Sequence, residues 1–456
     1  MGLLAMIHNS KKRFRLSPPQ VLAIGFILII IAGSILLSLP ISIAGEGQMT
    51  WTDALFMATS ATCVTGLSVI NTGAHLSTFG EIVLIFLVQI GGLGFMTMST
   101  LIALVLRRRI SFQERLILQE AMNHESTEGI VRLVRKVLIY ALYIELAGAV
   151  LYAIRWSFEM PIGQAVYFGI FHSISIFNNA GFDLFGSMPD RPGSLMHYVE
   201  DPFVNIVSML LVILGGIGFI VISDLLTYPK NKKLTLHSKV VLSASAALIF
   251  IGALVILIFE FTNTHTLQPL SAMGKLLSSL LQSVSSRSAG INTIDIPSMR
   301  QATQFFIIIM MFIGASPGSS GGGIKVTTFV ILVGAVIAMM RGQEEIVLFR
   351  RRISKDRIYK AITFTLLSFS LIVIATIVLT ITESYPFLGV LFEVTSAYAT
   401  AGMSMGLSSQ LTEFGKVFLV ILMFIGRLGP VTLAYILIPL PEKEHFRYPE
   451  GKITIG

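Results

Sequence analysis

The chain has 456 residues, of which 54% are hydrophobic and only 13% are charged. Soluble proteins average about 25% charged residues, so this composition excludes an ordinary water-soluble fold. A single cysteine excludes a disulfide framework and a cysteine-based metal cluster. The net charge of +8 is scattered between long apolar runs, unlike the basic helix face of a nucleic-acid-binding protein. The chain is therefore predicted to be an all-α polytopic membrane protein.

The N-terminal segment, residues 1–17, is basic and is followed by an apolar run at 21–39. A cleaved signal peptide, the alternative interpretation, would have an apolar core of about 7–15 residues with a small-residue cleavage site close behind it. The run is longer than such a core and no such site follows it. We therefore expect a cytoplasmic N-terminus and a retained first span.

Eight apolar segments are candidates for transmembrane helices, because about 20 residues cross roughly 30 Å of hydrocarbon. The eighth, 304–340, is too long for one span and is interrupted by a glycine-rich stretch at 314–323. The other seven are 21–39, 82–106, 137–154, 203–226, 240–261, 361–381 and 417–440. Between the members of each pair lies a shorter apolar run, which predicts a half-helix that enters the membrane and returns. These runs are 53–61, 163–177, 273–284 and 387–398.

Basic residues fall mainly on one side of the predicted membrane. If the spans alternate and both termini are cytoplasmic, the inner side holds 25 basic and 11 acidic residues, and the outer side holds six basic and 13 acidic residues. Lys and Arg accumulate on the cytoplasmic side of membrane proteins. The sequence therefore predicts a multi-pass protein of the cell membrane with eight spans and both termini in the cytoplasm.

Four short segments, 56–67, 171–182, 280–291 and 392–403, align without a gap. Each has Phe or Leu ten residues before a single glycine, and these glycines are 115, 109 and 112 residues apart. Similarity at a nearly fixed period indicates a repeated structural unit. A second glycine motif follows in each unit, for which close helix packing is the alternative interpretation. We predict four span–half-helix–span repeats around a central pore, at 18–109, 130–229, 237–341 and 357–440, and a cytoplasmic C-terminus at 441–456.

Four half-helices that end near the bilayer midplane would point their negative dipole ends at one axis and stabilise a cation there. The backbone after each half-helix can aim carbonyl oxygens inward to replace an ion's water shell, and glycine leaves no side chain in the pore. No Asp or Glu stands at the four turns, which disfavours a carboxylate filter for divalent cations. The predicted ion-binding residues are Val64, Thr65, Gly66, Asn179, Ala180, Gly181, Ser288, Ala289, Gly290, Thr400, Ala401 and Gly402.

The motifs at 62–67, 177–182, 314–323 and 426–430 resemble those of the membrane subunit of Ktr-type potassium uptake systems, in the Trk/Ktr/HKT superfamily. The likeness covers essentially the whole chain. It implies a potassium filter completed by one glycine per repeat, a homodimer, and a cytosolic ring of nucleotide-binding regulatory subunits at the inner face. The four segments differ from the four identical Thr-Val-Gly-Tyr-Gly filters of tetrameric potassium channels, so we expect fewer ordered ion sites.

The glycine-rich stretch at 314–323 has poor helix propensity. An ordinary loop between two short spans would leave 304–313 only about half a membrane thickness long. A phosphate-binding loop is excluded because Ile324 stands where that motif has Lys. The resemblance implies an intramembrane gating loop, with Arg427 as a positive barrier below the filter; the alternative for Arg427 is an anchor in the packed bundle. The predicted gating residues are Gly314, Ser316, Gly318, Ser319, Gly321, Gly322, Gly323, Lys325 and Arg427.

Four other side chains near the predicted pore have expected roles. Glu145, within the third span, is expected to pack through hydrogen bonds, with ion coordination as the alternative. Arg287 is expected behind the filter, where hydrogen bonds would brace the turn. Cys63 and His172 are expected to be packed and structural, and the only metal ion predicted is potassium in the filter.

The predicted function is potassium uptake across the cell membrane by the ion-translocating subunit, with no cofactor in this chain and with sodium dependence left open. The alternative is a sodium-selective or sodium-coupled carrier of the same fold. An intramembrane enzyme is disfavoured because His172 is the only histidine in an apolar segment. The charged segments at 114–128 and 343–360 are expected to contact membrane lipids or the regulatory partner, and no nucleic-acid partner is predicted.

Overall fold

The computed structural model describes residues 17–45, 49–94, 97, 112–121, 129–188 and 193–429. These ranges are mostly helical, as predicted, with one small antiparallel hairpin of β1 (Val347–Leu348) and β2 (Arg351–Arg352). The helices are α1 (Pro18–Leu37), α2 (Trp51–Thr62), α3 (Thr72–His75), α4 (Thr78–Leu93), α5 (Phe112–Ala121), α6 (Ile130–Trp156), α7 (Ile162–Phe177), α8 (Pro202–Gly216), α9 (Phe219–Asn231), α10 (Leu236–Glu260), α11 (Ala272–Ser285), α12 (Gln301–Ile313), α13 (Val326–Met340), α14 (Lys355–Thr382), α15 (Phe387–Ala399) and α16 (Glu413–Leu428).

Four helices in the described ranges, α1, α6, α10 and α14, are long and apolar enough to cross a membrane. Each of them is the first helix of one predicted repeat. Local capping marks the start of two of them: Ser17 and Gln20 form a capping box at the start of α1, and the Thr235 hydroxyl accepts the N–H of Ser238 at the start of α10. Most of each of these helices is not buried inside the protein, which suits a lipid-facing surface.

The second helix of each predicted repeat is shorter. The helices α4 and α16 are described as far as Leu93 and Leu428. Beyond Gly94 and Gly429, the rest of the predicted spans 82–106 and 417–440 lies outside the described residues, apart from Thr97. The predicted cytoplasmic segments 1–16 and 441–456 lie outside them as well. The arrangement of eight spans therefore stays a prediction.

The second span of repeat 2, predicted as a continuous run over 203–226, is interrupted. Helix α8 ends at Gly216, α9 begins at Phe219, and the two are bent by 101°. Gly218 between them has a φ of +90°, which a helix cannot accommodate and which side chains rarely adopt. The sequence did not reveal the bend because apolar side chains continue on both sides of it.

Helices occupy all four positions predicted for half-helices, as α2, α7, α11 and α15, each within two residues of the predicted bounds. They have 12 to 16 residues, fewer than a helix needs to cross the membrane. Two of them begin at hydroxyl N-caps, since Thr50 accepts the N–H of Asp53 and Ser271 accepts that of Gly274.

A glycine in the second helix of repeats 1, 2 and 4 allows that helix to touch the end of its half-helix. A Cβ on this glycine would lie within 2.1 Å of a backbone oxygen in the last turn of the half-helix. Close packing therefore accounts for these second glycine motifs. The contacts join Gly91 to Thr62, Gly215 to Phe177, and Gly426 to Tyr398.

Candidate functional site

The predicted filter residues form four triplets, each directly after a half-helix, and every triplet has the same backbone pattern. The third residue is the glycine, with φ between 71° and 87°. The first residue also has a positive φ, although it is not glycine. Such a conformation costs about 1–3 kcal/mol and persists only where the surrounding structure imposes it. These first residues are Val64 (56°), Asn179 (57°), Ser288 (112°) and Thr400 (46°).

The four triplets close into a ring around one axis. A Cβ on each filter glycine would lie 2.1 to 3.2 Å from the backbone oxygen of the middle residue of the next triplet, and the fourth triplet returns to the first. The ring therefore has no room for a side chain at its glycines. The contacts join Gly66 to Ala180, Gly181 to Ala289, Gly290 to Ala401, and Gly402 to Thr65.

The middle residue of each triplet is tied back to its own half-helix. In triplets 1, 2 and 4 its N–H donates to the backbone oxygen five residues earlier, whereas in triplet 3 the acceptor is four residues earlier, so this turn is tighter. Because these N–H groups are bound on the half-helix side, each triplet is tied through its backbone to the end of its own half-helix. The bonds are Thr65 to Ser60 (2.7 Å), Ala180 to Ser175 (2.8 Å), Ala289 to Ser285 (2.9 Å) and Ala401 to Ser396 (2.9 Å).

The glycine-rich stretch at 314–323 is irregular, as predicted, and lies against triplets 3 and 4. The Gly322 N–H donates to the Ser288 hydroxyl at 3.1 Å. A Cβ on Gly322 would lie 2.3 Å from Oγ1 of Thr400. The hydroxyl of Ser288 in turn donates to the backbone oxygen of Thr400 at 2.9 Å. The stretch therefore contacts the first residues of two triplets directly.

The same stretch also fills the break in the second span of repeat 2. The Ser316 N–H donates to the Gly216 oxygen at 3.1 Å, and the Phe219 N–H donates to the Gly318 oxygen at 2.9 Å. Backbone groups freed by a helix break inside a membrane need such partners. The two interrupted segments, in predicted repeats 2 and 3, therefore supply hydrogen-bond partners for each other's free backbone groups.

Both predicted intramembrane cations bind backbone oxygens of this stretch. Arg427 donates through one Nη atom to the Ser320 oxygen and through the other to the Gly91 oxygen. The Nζ atom of Lys325 donates to the Gly321 oxygen. Carbonyl anchoring, the alternative for Arg427, is thus observed, and one of its anchors is the stretch itself.

The structure confirms the packing roles expected for Glu145 and His172. The two carboxylate oxygens of Glu145 accept from the side-chain amides of Asn178 and Gln89, each at 3.0 Å. His172 is buried, and its Nε2 atom accepts the Leu184 N–H at 3.3 Å.

Two other expected roles have different outcomes. Cys63 is fully buried and structural, as predicted. Arg287 is also buried, but its Nε atom has no hydrogen-bond partner among the described residues. Bracing of the turn by hydrogen bonds from Arg287 is not observed at this atom and stays a prediction. That triplet is instead bound through the hydroxyl of Ser288.

A cavity with a volume of about 190 Å³ opens beside the third residues of triplets 1 and 2. Its lining includes Gly66, Gly181, Ser68, Asn71 and Asp183. Burial raises the pKa of the Asp183 carboxyl above its ordinary value, although backbone N–H groups that donate to it act in the opposite direction. Sequence analysis did not select this residue; an acid two positions after a filter glycine was the available signal.

The sequence profile of a family described as "TrkH: Cation transport protein" matches residues 5–448 of the chain. The chain belongs to the TrkH family. It is 43% identical to "Ktr system potassium uptake protein B" of Bacillus subtilis, over 98% of both chains. It is 38% identical to "Potassium/sodium uptake protein NtpJ" of Enterococcus hirae, over 99% of this chain and 100% of that protein.

A solved structure gives a second comparison for this TrkH-family chain. The crystal structure of the potassium transporter TrkH from Vibrio parahaemolyticus matches it with a TM-score of 0.72 and 19% identity, over 94% of this chain and 86% of that chain. At this identity the likeness concerns the fold. The family consists of transport proteins, so the resemblance and the expectation that the chain is not an enzyme are both confirmed.

Proposed function

We propose that the chain is the ion-translocating subunit of a potassium uptake system in the cell membrane. The observation that carries this proposal is the closed ring, in which each filter glycine faces the backbone oxygen of the next triplet. Backbone oxygens around one axis can replace the hydration shell of a monovalent cation. The names of the similar Ktr system proteins supply the choice of potassium.

In this mechanism the four triplets form the filter, and the C-terminal ends of α2, α7, α11 and α15 face the ion. Their partial negative charges offset the cost of placing a cation at the midplane. The glycines are required for space, because a Cβ on Gly66 would lie 2.1 Å from the Ala180 oxygen. No cofactor takes part, and potassium is the cargo.

The stretch at 314–323, with Lys325 and Arg427, acts as the gate. Its contacts with Ser288 and Thr400 support this role, because a stretch packed against two of the triplets would have to move before an ion could pass. Arg427 holds it through the Ser320 oxygen and adds a positive charge to the barrier. Its glycines allow the backbone to change conformation at low cost.

The assembly proposed for the chain is a homodimer that binds a cytosolic ring of nucleotide-binding regulatory subunits at its inner face. The names of two similar proteins describe components of a Ktr system, which supports a complex of several subunits. Both termini are cytoplasmic in this arrangement. The exposed basic residues of the hairpin, Arg350 to Arg352, lie on the same side and suit contacts with lipid headgroups or the partner.

A sodium-selective or sodium-coupled carrier is the second candidate function. The similarity to the potassium/sodium uptake protein of Enterococcus hirae favours it. Parallel measurements of rubidium and sodium flux into liposomes separate the two candidates, because only the first discriminates strongly against sodium.

The test of the filter is rescue of a potassium-uptake-deficient cell by the wild type and by Gly66→Ser and Gly402→Ser, with flux measured in liposomes. Each variant displaces one ring oxygen and should reduce the rubidium-to-sodium flux ratio by about tenfold, equivalent to about 1.4 kcal/mol. Gly342→Ser is the control, since Gly342 has a φ of +66° and no neighbouring atoms within 4 Å. Failure of the wild type to rescue, or unchanged ion preference in both filter variants, contradicts the proposal.

A further inference from the structure

Three polar side chains behind triplet 2, the buried Glu145 and Asn178 and the half-buried Gln89, form a triad that the ion pathway described above does not use. The side-chain amide of Asn178 donates to Glu145 Oε1 at 3.0 Å and to Gln89 Oε1 at 2.8 Å. The side-chain amide of Gln89 donates to Glu145 Oε2 at 3.0 Å. The Ser173 hydroxyl donates to the backbone oxygen of Glu145 at 2.7 Å. The triad joins α4, α6 and the end of α7.

The triad is present at one corner of the ring only. The residue before the triplet is a side-chain amide in repeat 2, whereas the other three repeats have Cys63, Arg287 and Ala399 at that position. Asn178 directly precedes Asn179, whose φ is +57°. Asn178 also packs against α4, since a Cβ on Gly92 would lie 2.1 Å from its Oδ1 atom. Movement of the Asn178 side chain would therefore move the strained start of triplet 2.

The hydrogen-bond pattern matches a carboxylate at position 145. Both of its oxygens accept from amide N–H groups, and an ionised carboxylate is an acceptor only. A glutamine there would place a donor against the amide donor of Asn178 or Gln89. No ion pair joins Glu145 to a basic residue in the described part of the chain, so its two amide partners are what hold it.

We propose that Glu145 is a positioning residue for the filter: through Asn178 it holds the backbone of triplet 2 at the spacing that discriminates potassium from sodium. The proposal rests on the proposed function of the triplets. Discrimination between these ions depends on the arrangement of the ring oxygens. A misplaced triplet 2 should therefore admit sodium more readily without abolishing flux.

The experiment measures rubidium and sodium flux, with the Michaelis constant and the maximal rate for each ion, in liposomes containing the full-length protein. The variants are Glu145→Gln, Asn178→Asp and the double variant, in which donor and acceptor are exchanged. We expect each single variant to reduce the rubidium-to-sodium ratio about fivefold to tenfold, and the double variant to recover at least half of the loss on a logarithmic scale. Recovery by exchange is not expected from a merely structural role.

Two further variants keep the experiment decisive. Gln89→Met keeps the volume and removes two of the amide bonds, so it should shift the ratio in the same direction if Glu145→Gln fails to fold. Glu81→Gln is the matched control, because Glu81 is a buried carboxylate that accepts from Tyr167 at 2.5 Å and contacts no triplet in the contacts given above. Gly402→Ser in the same assay tests the filter itself.

The outcomes are distinct. If Gly402→Ser changes the ratio while Glu145→Gln and Gln89→Met leave it within twofold of the wild type, the positioning role is wrong and the filter assignment stands. If Gly402→Ser has no effect, the filter assignment fails. If the exchanged double variant is no better than the single variants, coupling between Glu145 and Asn178 is refuted.

Discussion

If the stretch at 314–323 is the gate, as proposed, alanine at position 218 should loosen it. Gly218 lies at the break between α8 and α9, and a Cβ there would lie 2.5 Å from the backbone oxygen of Pro317 in the gating stretch. That contact is too short to persist, so either the stretch or α9 must move. The adjacent bond from the Phe219 N–H to the Gly318 oxygen, at 2.9 Å, would be lost with it.

The magnitude follows from the bonds between the two interruptions. If the part of the stretch beside Gly218 moves away, it gives up the bond from Phe219 to Gly318 and the bond from Ser316 to Gly216, while the bonds from Ser320 to the Gly215 oxygen remain. Each contributes about 0.5–1.5 kcal/mol, so the closed arrangement loses about 1–3 kcal/mol. A change of this size alters the ratio of open to closed protein by about 5–150-fold. We therefore expect a faster basal flux in the variant.

The assay is initial rubidium uptake into liposomes that contain the purified protein without any regulatory partner, normalised to the amount of inserted protein. Gly45→Ala is the control, because Gly45 has a similar φ of +81° but no neighbouring atoms within 4 Å. The Gly45→Ala variant therefore measures the effect on flux of a side chain at positive φ without a steric contact. A Gly218→Ala flux equal to or below that of Gly45→Ala would show that the contact with Pro317 does not stabilise the closed state.

Two other predictions concern carboxylates near two of the half-helices, Asp183 after α7 and Asp53 in the first turn of α2. Because burial raises the pKa of Asp183, acidification of the outer solution neutralises it at a higher pH than an ordinary aspartate and removes a negative charge beside the filter glycines. The Michaelis constant of the wild type for potassium should therefore rise as pH falls from roughly 8 to 4. In the Asp183→Asn variant the Michaelis constant should be high at every pH. A variant whose Michaelis constant depends on pH as the wild type's does would contradict this prediction. The second prediction concerns the ion pair of Lys416 and Asp53, whose ammonium and carboxylate lie 2.7 Å apart and whose side chains are 11% and 16% exposed. Lys416→Met leaves the Asp53 carboxylate without its partner. It should lower the free energy of unfolding by about 1–3 kcal/mol, somewhat less than the loss from a fully buried pair. In thermal unfolding, the double variant Asp53→Asn, Lys416→Met should lose less stability than Lys416→Met alone. Equal losses in the two variants would contradict the pairing.

The half-helices were predictable because their signals are local. An apolar run of limited length between polar turn residues predicts such an element, and α15 begins at the predicted residue, Phe387. The ring of triplets was also indicated by the fourfold recurrence of a glycine at one position. Recurrence in four copies is stronger evidence than any single motif.

The features that the sequence did not reveal arise from contacts between distant segments. Val64 is β-branched and gives no local sign of a φ of +56°, which the surrounding ring imposes. The bend at Gly218 is stabilised by a stretch about 100 residues later in the chain. Glu145 was visible as a buried acid, but its partners Asn178 and Gln89 lie 33 and 56 residues away.

The gating stretch touches the ring on one side, at Ser288 and Thr400, and not at Val64 among the contacts described above. A channel built from four identical subunits must repeat any such contact four times, whereas a single chain can change one quarter of its pore and leave the others alone. Of the first residues of the four triplets, Ser288 has the largest positive φ, and its hydroxyl accepts the N–H of Gly322. In the proposed mechanism, evolution can therefore alter opening through the third and fourth quarters while the first and second keep the ion's surroundings constant.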